Sequence, residues 1–338
     1  MCNRLIWLIK IDQYGEKDWD KVFGNDGDDY GRCVQQTVDG GYLIVGETHS
    51  NKWNDNCDIW LIKTDRMGIE EWNRTLGGEK GDGVTWAQKT SDGGYVLVGD
   101  TESYGAGQRD CWLIKTNDLG EKQWDRTFGS ASYDEGISVI QTSDGGYVLL
   151  GGTRIDEDSI RDEDFWMTKT DAEGNTEWSR TFDNSATLCV KQTFDGGYLA
   201  VGAVGSYYEE ENFHSSITKL DQDGSQEWSK ILGIGDKDMA NFVQLASDGG
   251  YVIGGVTINV SSVWRGASSS PWFVKTSDAG EEEWSASFHL AEKEYVNFMD
   301  QTSDGGYIMI GGLILPKGNS EWEGQTDIRI IKLRPKSG

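Results

Sequence analysis

Histidine, proline and cysteine are scarce in this chain: 338 residues hold three histidines, three prolines and five cysteines. The histidines (His49, His214, His289) belong to no HExxH pattern and to no Ser-His-Asp order. The familiar metalloprotease and serine-hydrolase chemistries therefore have no motif here. The cysteines (Cys2, Cys33, Cys57, Cys111, Cys189) are odd in number and lack metal-ligand spacing, so they read as free, structural thiols. That state favours a reducing, cytoplasmic setting. No run of about 18 apolar residues is present, which excludes a membrane-spanning helix. The opening MCNRLIWLIK does not read as a signal peptide, because its apolar run is too short. Basic residues are also in short supply: 31 Lys and Arg face 57 Asp and Glu, a formal charge of −26. Nucleic acid and anionic membrane surfaces are poor partners for such a chain. Cations and basic partners are attracted, and the charge also keeps a large surface soluble.

What is present in quantity is glycine (45) and tryptophan (15). Disordered and collagen-like chains do not carry so many aromatics. The glycines recur in order. The tetrad DGGY begins at Asp39, Asp92, Asp144, Asp195, Asp248 and Asp304. A tryptophan recurs at Trp19, Trp72, Trp124, Trp178, Trp228 and Trp284, and W-L-I-K or a blurred version at Trp7, Trp60, Trp112, Trp166, Ser216, Trp272 and Arg329. One period of about 52 residues thus holds four short segments. In order these are strand a (GISVIQT, 136–142), an SDGG turn, strand b (YVLVG, 95–99), a variable loop, strand c (WLIK), a D-x-x-G turn and strand d (E-W-x-R-T-F). Each is rich in Val, Ile, Thr, Tyr and Trp and bounded by Gly, Asp or Ser, which are strand signals. No window shows sustained helical periodicity.

Four antiparallel strands per period predict an all-β, six-bladed β-propeller, one domain over residues 1–338. YVLVG is apolar on both faces, as a strand between two neighbouring blades must be. The segment order and the glycines closing strand b (Gly151-Gly152, Gly254-Gly255, Gly311-Gly312) resemble Kelch-type propellers. The wording DGGY…WLIKTD…EW…TFGG is still more similar to a propeller repeat of archaeal and bacterial cell-surface proteins. That resemblance covers essentially the whole chain and implies an extracellular or cell-surface location. It implies little about activity. The copper ligands of Kelch-fold oxidases have no match here, and the turn motif departs in spacing from the Asp-box of sialidases.

The chain starts inside a period and stops inside one. Lys17–Phe23 is therefore expected to complete the last blade, so that the N- and C-terminal strands close the ring together. Seven c-type strands compete for six places. Leu5–Ile11 is expected to hairpin onto Lys17–Phe23 as an extra outermost strand, the alternative being that it displaces Ile328–Leu333. A monomer is expected, with an edge-strand dimer as the second option.

The a–b and c–d turns are nearly constant, and backbone geometry accounts for their Asp and Gly. The b–c loops differ widely and share the other face with the d–a loops, so recognition is expected there. Two groups of candidates lie on it. Asp29, Asp82, Asp134, Asp238 and Glu294 hold one repeat position just before strand a, where they either ring the mouth of a central channel and bind Ca²⁺ or cap their own loops. Trp53, Trp86, Tyr104, Tyr207, Tyr208, Trp264 and Trp322 add aromatic surface for sugars or cationic peptide groups, or else pack the loops onto the blades. Trp86 reads as a plug on strand a rather than a contact. Lys10, Lys63, Lys115, Lys169, Lys219, Lys275 and Lys332 end strand c and are expected to pair with Glu71, Glu177, Glu227 and Glu283 across the hairpin. The reading is a non-catalytic binding or scaffold propeller for a glycan or protein. The alternative is a glycoside hydrolase or lyase that uses the acids at the mouth.

Overall fold

The computed structural model describes residues 4–49, 56–154, 163–182, 185–205, 214–233, 237–246, 249–259, 268–287, 294–302, 306–317 and 320–333. Every regular element among them is a β-strand. The fold is all-β, a six-bladed propeller built from antiparallel sheets of the four-stranded kind. It falls into two compact units, Met1–Thr181 and Phe182–Gly338.

The first unit begins with a hairpin, β1 (Ile6–Ile11) and β2 (Lys17–Phe23). Three blades follow. Blade 1 is β3 (Asp29–Gln36), β4 (Tyr42–His49), β5 (Cys57–Thr64) and β6 (Glu70–Leu76). Blade 2 is β7 (Asp82–Lys89), β8 (Tyr95–Thr101), β9 (Asp110–Thr116) and β10 (Lys122–Phe128). Blade 3 is β11 (Tyr133–Gln141), β12 (Tyr147–Arg154), β13 (Glu163–Thr170) and β14 (Thr176–Phe182). In each blade the strands pair in chain order, a to d.

Strand β8 shows why YVLVG does not alternate. Tyr95 and Leu97 pack with Leu43, Val45, Ile59 and Leu61 of blade 1. Val96 and Val98, on the other face, pack with Val139, Tyr147 and Leu149 of blade 3. Both faces are dry, so every position is apolar, and each fully buried side chain contributes roughly 1.5–3 kcal/mol. The d-strand tryptophans join successive blades. The Trp19 and Trp124 rings meet Tyr42 and Tyr147 of the next blade edge-on, centroids 5.7 Å apart. Trp19, Trp72 and Trp124 also cover the turn glycines Gly68, Gly120 and Gly174 so closely that a Cβ there would stand 2.7 Å from the indole. On strand d itself, Arg74 and Arg126 sit over Trp72 and Trp124 at 5.6 Å.

The paired glycines of DGGY do two different jobs. The first takes a left-handed φ, 84° at Gly40 and 89° at Gly93, which turns strand a into strand b. The second leaves room: a Cβ on Gly94 would stand 2.1 Å from the Thr116 carbonyl oxygen and 2.7 Å from Lys115 Nζ. That space admits the lysine of strand c. Lys63 Nζ donates to Asp39 Oδ2 (2.8 Å), the Thr64 carbonyl (2.9 Å) and Glu71 Oε2 (2.7 Å). Lys169 repeats this with Asp144, Thr170 and Glu177, and Lys115 does so with Asp92, Thr116 and Gln123. The expected Lys–Glu pairs are present, and the turn aspartate joins them. The Asp of DGGY is therefore an ion-pair partner as well as a turn former.

The N-terminal hairpin forms as expected, and its first strand also packs toward blade 1. Ile6 is buried among Phe23, Ile44, Trp60 and Ile62. The Arg4 carbonyl accepts from Asp29 N at 2.9 Å, as the Arg109 carbonyl accepts from Asp134 N at 2.8 Å. Relative to blade 1, β1 and β2 thus take the places of strands c and d of a preceding blade. The cause is the sequence of β1, which carries the same inward-facing apolar residues as any strand c. The two strands form a sheet of their own.

The second unit repeats the blade. Blade 4 is β15 (Ser185–Gln192), β16 (Tyr198–Val204), β17 (His214–Leu220) and β18 (Gln226–Leu232). Blade 5 is β19 (Lys237–Leu245), β20 (Tyr251–Asn259), β21 (Ser268–Thr276) and β22 (Glu282–Ser287). Leu199, Val201, Ile253, Trp272 and Val274 share one core between them. Lys219 joins Asp195 and Glu227, and Lys275 joins Glu283. The last sheet has three strands, β23 (Glu294–Gln301), β24 (Tyr307–Lys317) and β25 (Ser320–Leu333). Residues 313–317 and 320–327, read from sequence as part of a b–c loop, instead continue the β24–β25 ladder up to Lys317 and Ser320. Its Leu-Ile-Leu run supports a strand better than a loop.

Candidate functional site

The acids before strand a cap their own loops. Asp29 Oδ2 accepts from Asn25 N (2.8 Å), Asp82 Oδ2 from Gly78 N (2.7 Å) and Asp134 Oδ2 from Ser130 N (2.7 Å). A strand-b threonine donates to the second oxygen, Thr101 to Asp82 and Thr153 to Asp134. Asp29, Asp82, Asp134 and Asp238 are all buried. Glu294 opens β23, and its side chain lies outside the described residues. Among the described residues no three His, Cys, Asp or Glu side chains come together as a metal cage. At Asp82 and Asp134 the local hydrogen bonds account for both carboxylate oxygens.

Of the aromatic candidates, Trp53, Tyr207, Tyr208 and Trp264 lie outside the described residues. Trp322 is on β25, and its side chain likewise lies outside them. Trp86 follows a β-bulge between Val84 and Trp86 that every strand a repeats at the same place. It is half-buried against the Val96, Val98 and Leu113 core, a packing role. Tyr104 lies across Trp112 with centroids 5.2 Å apart, donates its hydroxyl to the Gly77 carbonyl (3.1 Å) and carries Lys122 Nζ 5.6 Å above its ring. Its ring is therefore engaged within the chain.

A different constellation stands out in the first unit. Glu47 ends strand b of blade 1, and Arg32, the bulged residue of β3, binds it with two hydrogen bonds (3.2 and 2.9 Å). Glu47 Oε1 also accepts from Val84 N at 3.2 Å. Asp100 holds the matching position in blade 2. Arg109 Nε lies 3.3 Å from Asp100 Oδ2, and Arg109 Nη2 donates to Glu102 Oε1 at 2.9 Å. Arg154 reaches Glu135 at 2.9 Å. Asp100 and Glu47 converge on Gly83, whose Cβ would lie 3.0 Å from Asp100 Oδ1 and 3.4 Å from Glu47 Oε1. Burial pushes the Asp100 carboxyl up to about 6; Arg109 opposes this, while Glu135, Glu47 and Glu102 add to it. Burial, with Glu47 and Asp100 beside it, also raises the Cys57 thiol to about 11, so this cysteine is a poor nucleophile.

The repeat pattern alone does not single out Glu47, Asp100, Arg109 and Glu135. A signal was available: the fifth residue after the strand-b tyrosine is Glu47 and Asp100 in two copies, but Gly152, Ala203, Val256 and Gly312 in the rest. An acid at an otherwise apolar, buried position marks a departure from the repeat.

No family model and no curated protein matches this chain. Solved structures do. A puromycin hydrolase structure matches at 12% identity and TM-score 0.52, covering 89% of this chain and 46% of that one. Sqt1 from Chaetomium thermophilum matches at 11% identity and TM-score 0.50, covering 88% and 69%. This chain thus spans less than half the length of the puromycin hydrolase it resembles. At such identities the likeness is one of fold alone, and the fold it supports is the six-bladed β-propeller.

Proposed function

We propose that this protein is a non-catalytic binding propeller that recognises a protein or glycan partner on the side of the blades where the b–c and d–a loops lie. One observation carries the reading. The Arg32–Glu47, Asp100–Arg109–Glu102 and Glu135–Arg154 groups break the repeat on that side, while the charged groups of the turn side are committed to repeated Lys–Asp–Glu bridges. Guanidinium and carboxylate groups that are partly exposed and already oriented by each other bind peptide or sugar polar groups with little ordering cost. The charge of −26 favours a basic protein partner over an acidic one. The likeness of the DGGY and WLIKTD wording to cell-surface repeats supports an extracellular setting, and the free thiols favour a cytoplasmic one. Among the described residues no helix is long and apolar enough to cross a membrane.

Parallel screens on glycan and basic-peptide arrays test this, with the Arg109→Ala, Glu102→Ala double variant beside the wild type. Binding that the double variant loses supports the reading. Binding that it leaves intact, or none on either array, overturns it. Calcium titration of thermal stability tests a cation role for the capping acids in the same samples.

A second reading has one observation behind it. A carboxyl raised to about 6 at Asp100, close to the Glu47 carboxylate, suits a glycosidic acid–base pair. Release of reducing ends from a glycan panel, abolished in Asp100→Asn, would establish it.

A further inference from the structure

Blade 1 differs from blade 3 at the tips of its turns, where the two backbones agree. Its a–b turn presents Val38 where blade 3 has Ser143, and its c–d turn presents Met67 and Ile69 where blade 3 has Glu173 and Asn175. The two c–d turns are built alike. Asp65 Oδ1 accepts from the Met67 and Ile69 amides at 2.8 and 2.9 Å, as Asp171 Oδ1 accepts from those of Glu173 and Asn175 at 3.0 and 2.8 Å. Gly68 and Gly174 close them with φ of 75° and 79°. Polar side chains thus serve this turn as well as apolar ones, and the fold does not call for the apolar set. The c–d turns on either side extend it, with Tyr14 between β1 and β2 and Leu119 between β9 and β10. All five side chains are exposed, from 48% at Leu119 to 85% at Val38.

These tips adjoin one another. The Gly68 turn sits on Trp19 of β2, whose hairpin carries Tyr14, and the Gly120 turn sits on Trp72 of β6, whose hairpin carries Met67 and Ile69. Lys63 ties the Val38 turn to β6 through Asp39 and Glu71. Single exposed apolar residues need no explanation, but adjoining ones rimmed by polar groups mark an interaction surface. The rim here is acidic. Beyond the Lys63 bridge, Asp12, Glu16, Asp65, Glu70, Asp118 and Glu121 stand within two residues of the tips, and Arg66 is the one cation that near. Lys17 and Lys122, a little further along the chain, are held by Asp20 and Asp125.

We infer that this strip is a docking surface for a basic amphipathic segment of another protein. The apolar residues of that segment lie against the five tips, and its lysines or arginines meet the carboxylates between them. Charge decides the occupant, because a second copy of this chain would bring acid against acid. The strip is on the turn side, away from the loops of the function proposed above, and it stands or falls independently of that reading.

Fluorescence anisotropy of the full chain with three labelled peptides tests it. They are a helical Leu/Lys peptide with its leucines on one face, a Leu/Glu counterpart, and a Ser/Lys counterpart of the same charge as the first. Wild type is expected to bind the Leu/Lys peptide about tenfold tighter than either counterpart. The triple variant Val38→Ser, Met67→Glu, Ile69→Asn installs the residues that blade 3 carries at these positions. It is expected to lose about tenfold in that affinity, with thermal unfolding unchanged. Because Met67→Glu adds negative charge, such a loss comes from the apolar contacts and not from charge. Leu119→Glu, at the end of the strip, is expected to weaken binding in the same direction, and the loop-side double variant Arg109→Ala, Glu102→Ala to leave it intact. The inference is overturned if wild type binds the Ser/Lys peptide as tightly as the Leu/Lys peptide, or if the triple variant and Leu119→Glu both bind like wild type. It is equally overturned if light scattering shows a wild-type dimer that the triple variant breaks. Binding of wild type, but not of the triple variant, to phosphatidylcholine vesicles overturns it too, since lipid then covers the strip.

Discussion

Asp92, in the turn that leads into β8, and Asp100, near the other end of that strand, have carboxyl groups that titrate in opposite directions. Asp92 lies in the SDGG turn. Burial would raise it, but hydrogen bonds from Lys115, Thr90 and the Gly94 amide outweigh that and hold it down to about 2. Asp100, eight residues on, is largely shielded, with only Arg109 to offset desolvation and three other acids, and it rises to about 6. The difference is one of donors. At the turn end every acceptor is met by a group that the repeat supplies in each blade. At the loop end the supply stops, and ionisable groups are held where ionisation is costly. A carboxyl raised by burial beside other acids marks a candidate functional position.

Four measurements can break or sharpen this contrast. The largest effect belongs to glycine. Gly94→Ala drives a Cβ against the Thr116 carbonyl and is expected to cost more than about 3 kcal/mol. Gly81→Ala, where nothing lies closer than 3.9 Å, is expected to stay within about 0.5 kcal/mol in the same urea unfolding series. Equal costs would mean that the two ends are equally tight. Next, Lys115→Met leaves the Thr116 carbonyl without its ammonium donor and is expected to cost about 2 kcal/mol. It also returns Asp92 toward the ordinary carboxylate range, which a titration by NMR reads directly.

The third measurement is stability against pH, where the two ends carry opposite signs. Asp100 is raised in the folded state, so its favourable contribution is present below the ordinary carboxylate pKa and is lost as pH climbs through about 6. Asp92, Asp144 and Asp195 are held down to about 2, so theirs is present at neutral pH and is lost as pH falls toward 2. Asp100→Asn should therefore stabilise the protein at pH 7 by about 1–2 kcal/mol and remove the decline between pH 4 and 6. A variant that is less stable at pH 7 would show that the Arg109 pair outweighs burial. The smallest effect is Tyr104→Phe, which removes one hydrogen bond to the Gly77 carbonyl and is expected to cost about 1 kcal/mol or less in thermal unfolding.

Much of the fold was legible because a propeller writes its contacts into its period. DGGY announced its turn, W-L-I-K its buried strand and E-W its hairpin return, and the Lys–Glu pairs followed from register. The tail of the last b–c segment was misread as a loop, because its proline and glycine masked a run that pairs as β24 and β25. The site was less legible. Asp29, Asp82 and Asp134 attracted notice by repeating, yet repetition marked a structural cap. Glu47 and Asp100 carried the real departure and were passed over, because in a linear chain they look like ordinary acids after a strand.

From its sequence alone this protein was bound to be a repeating β structure, since local propensity, turn chemistry and an apolar strand with two dry faces all agree within a single period. Only the tertiary structure decided which charges are bridged and which carboxyls lie shielded beside other acids. Those outcomes depend on residues 27 and 37 positions apart meeting across blades. Glu47 with Val84 N, and Tyr104 with Gly77, are neighbours only after each blade has packed on the one before it.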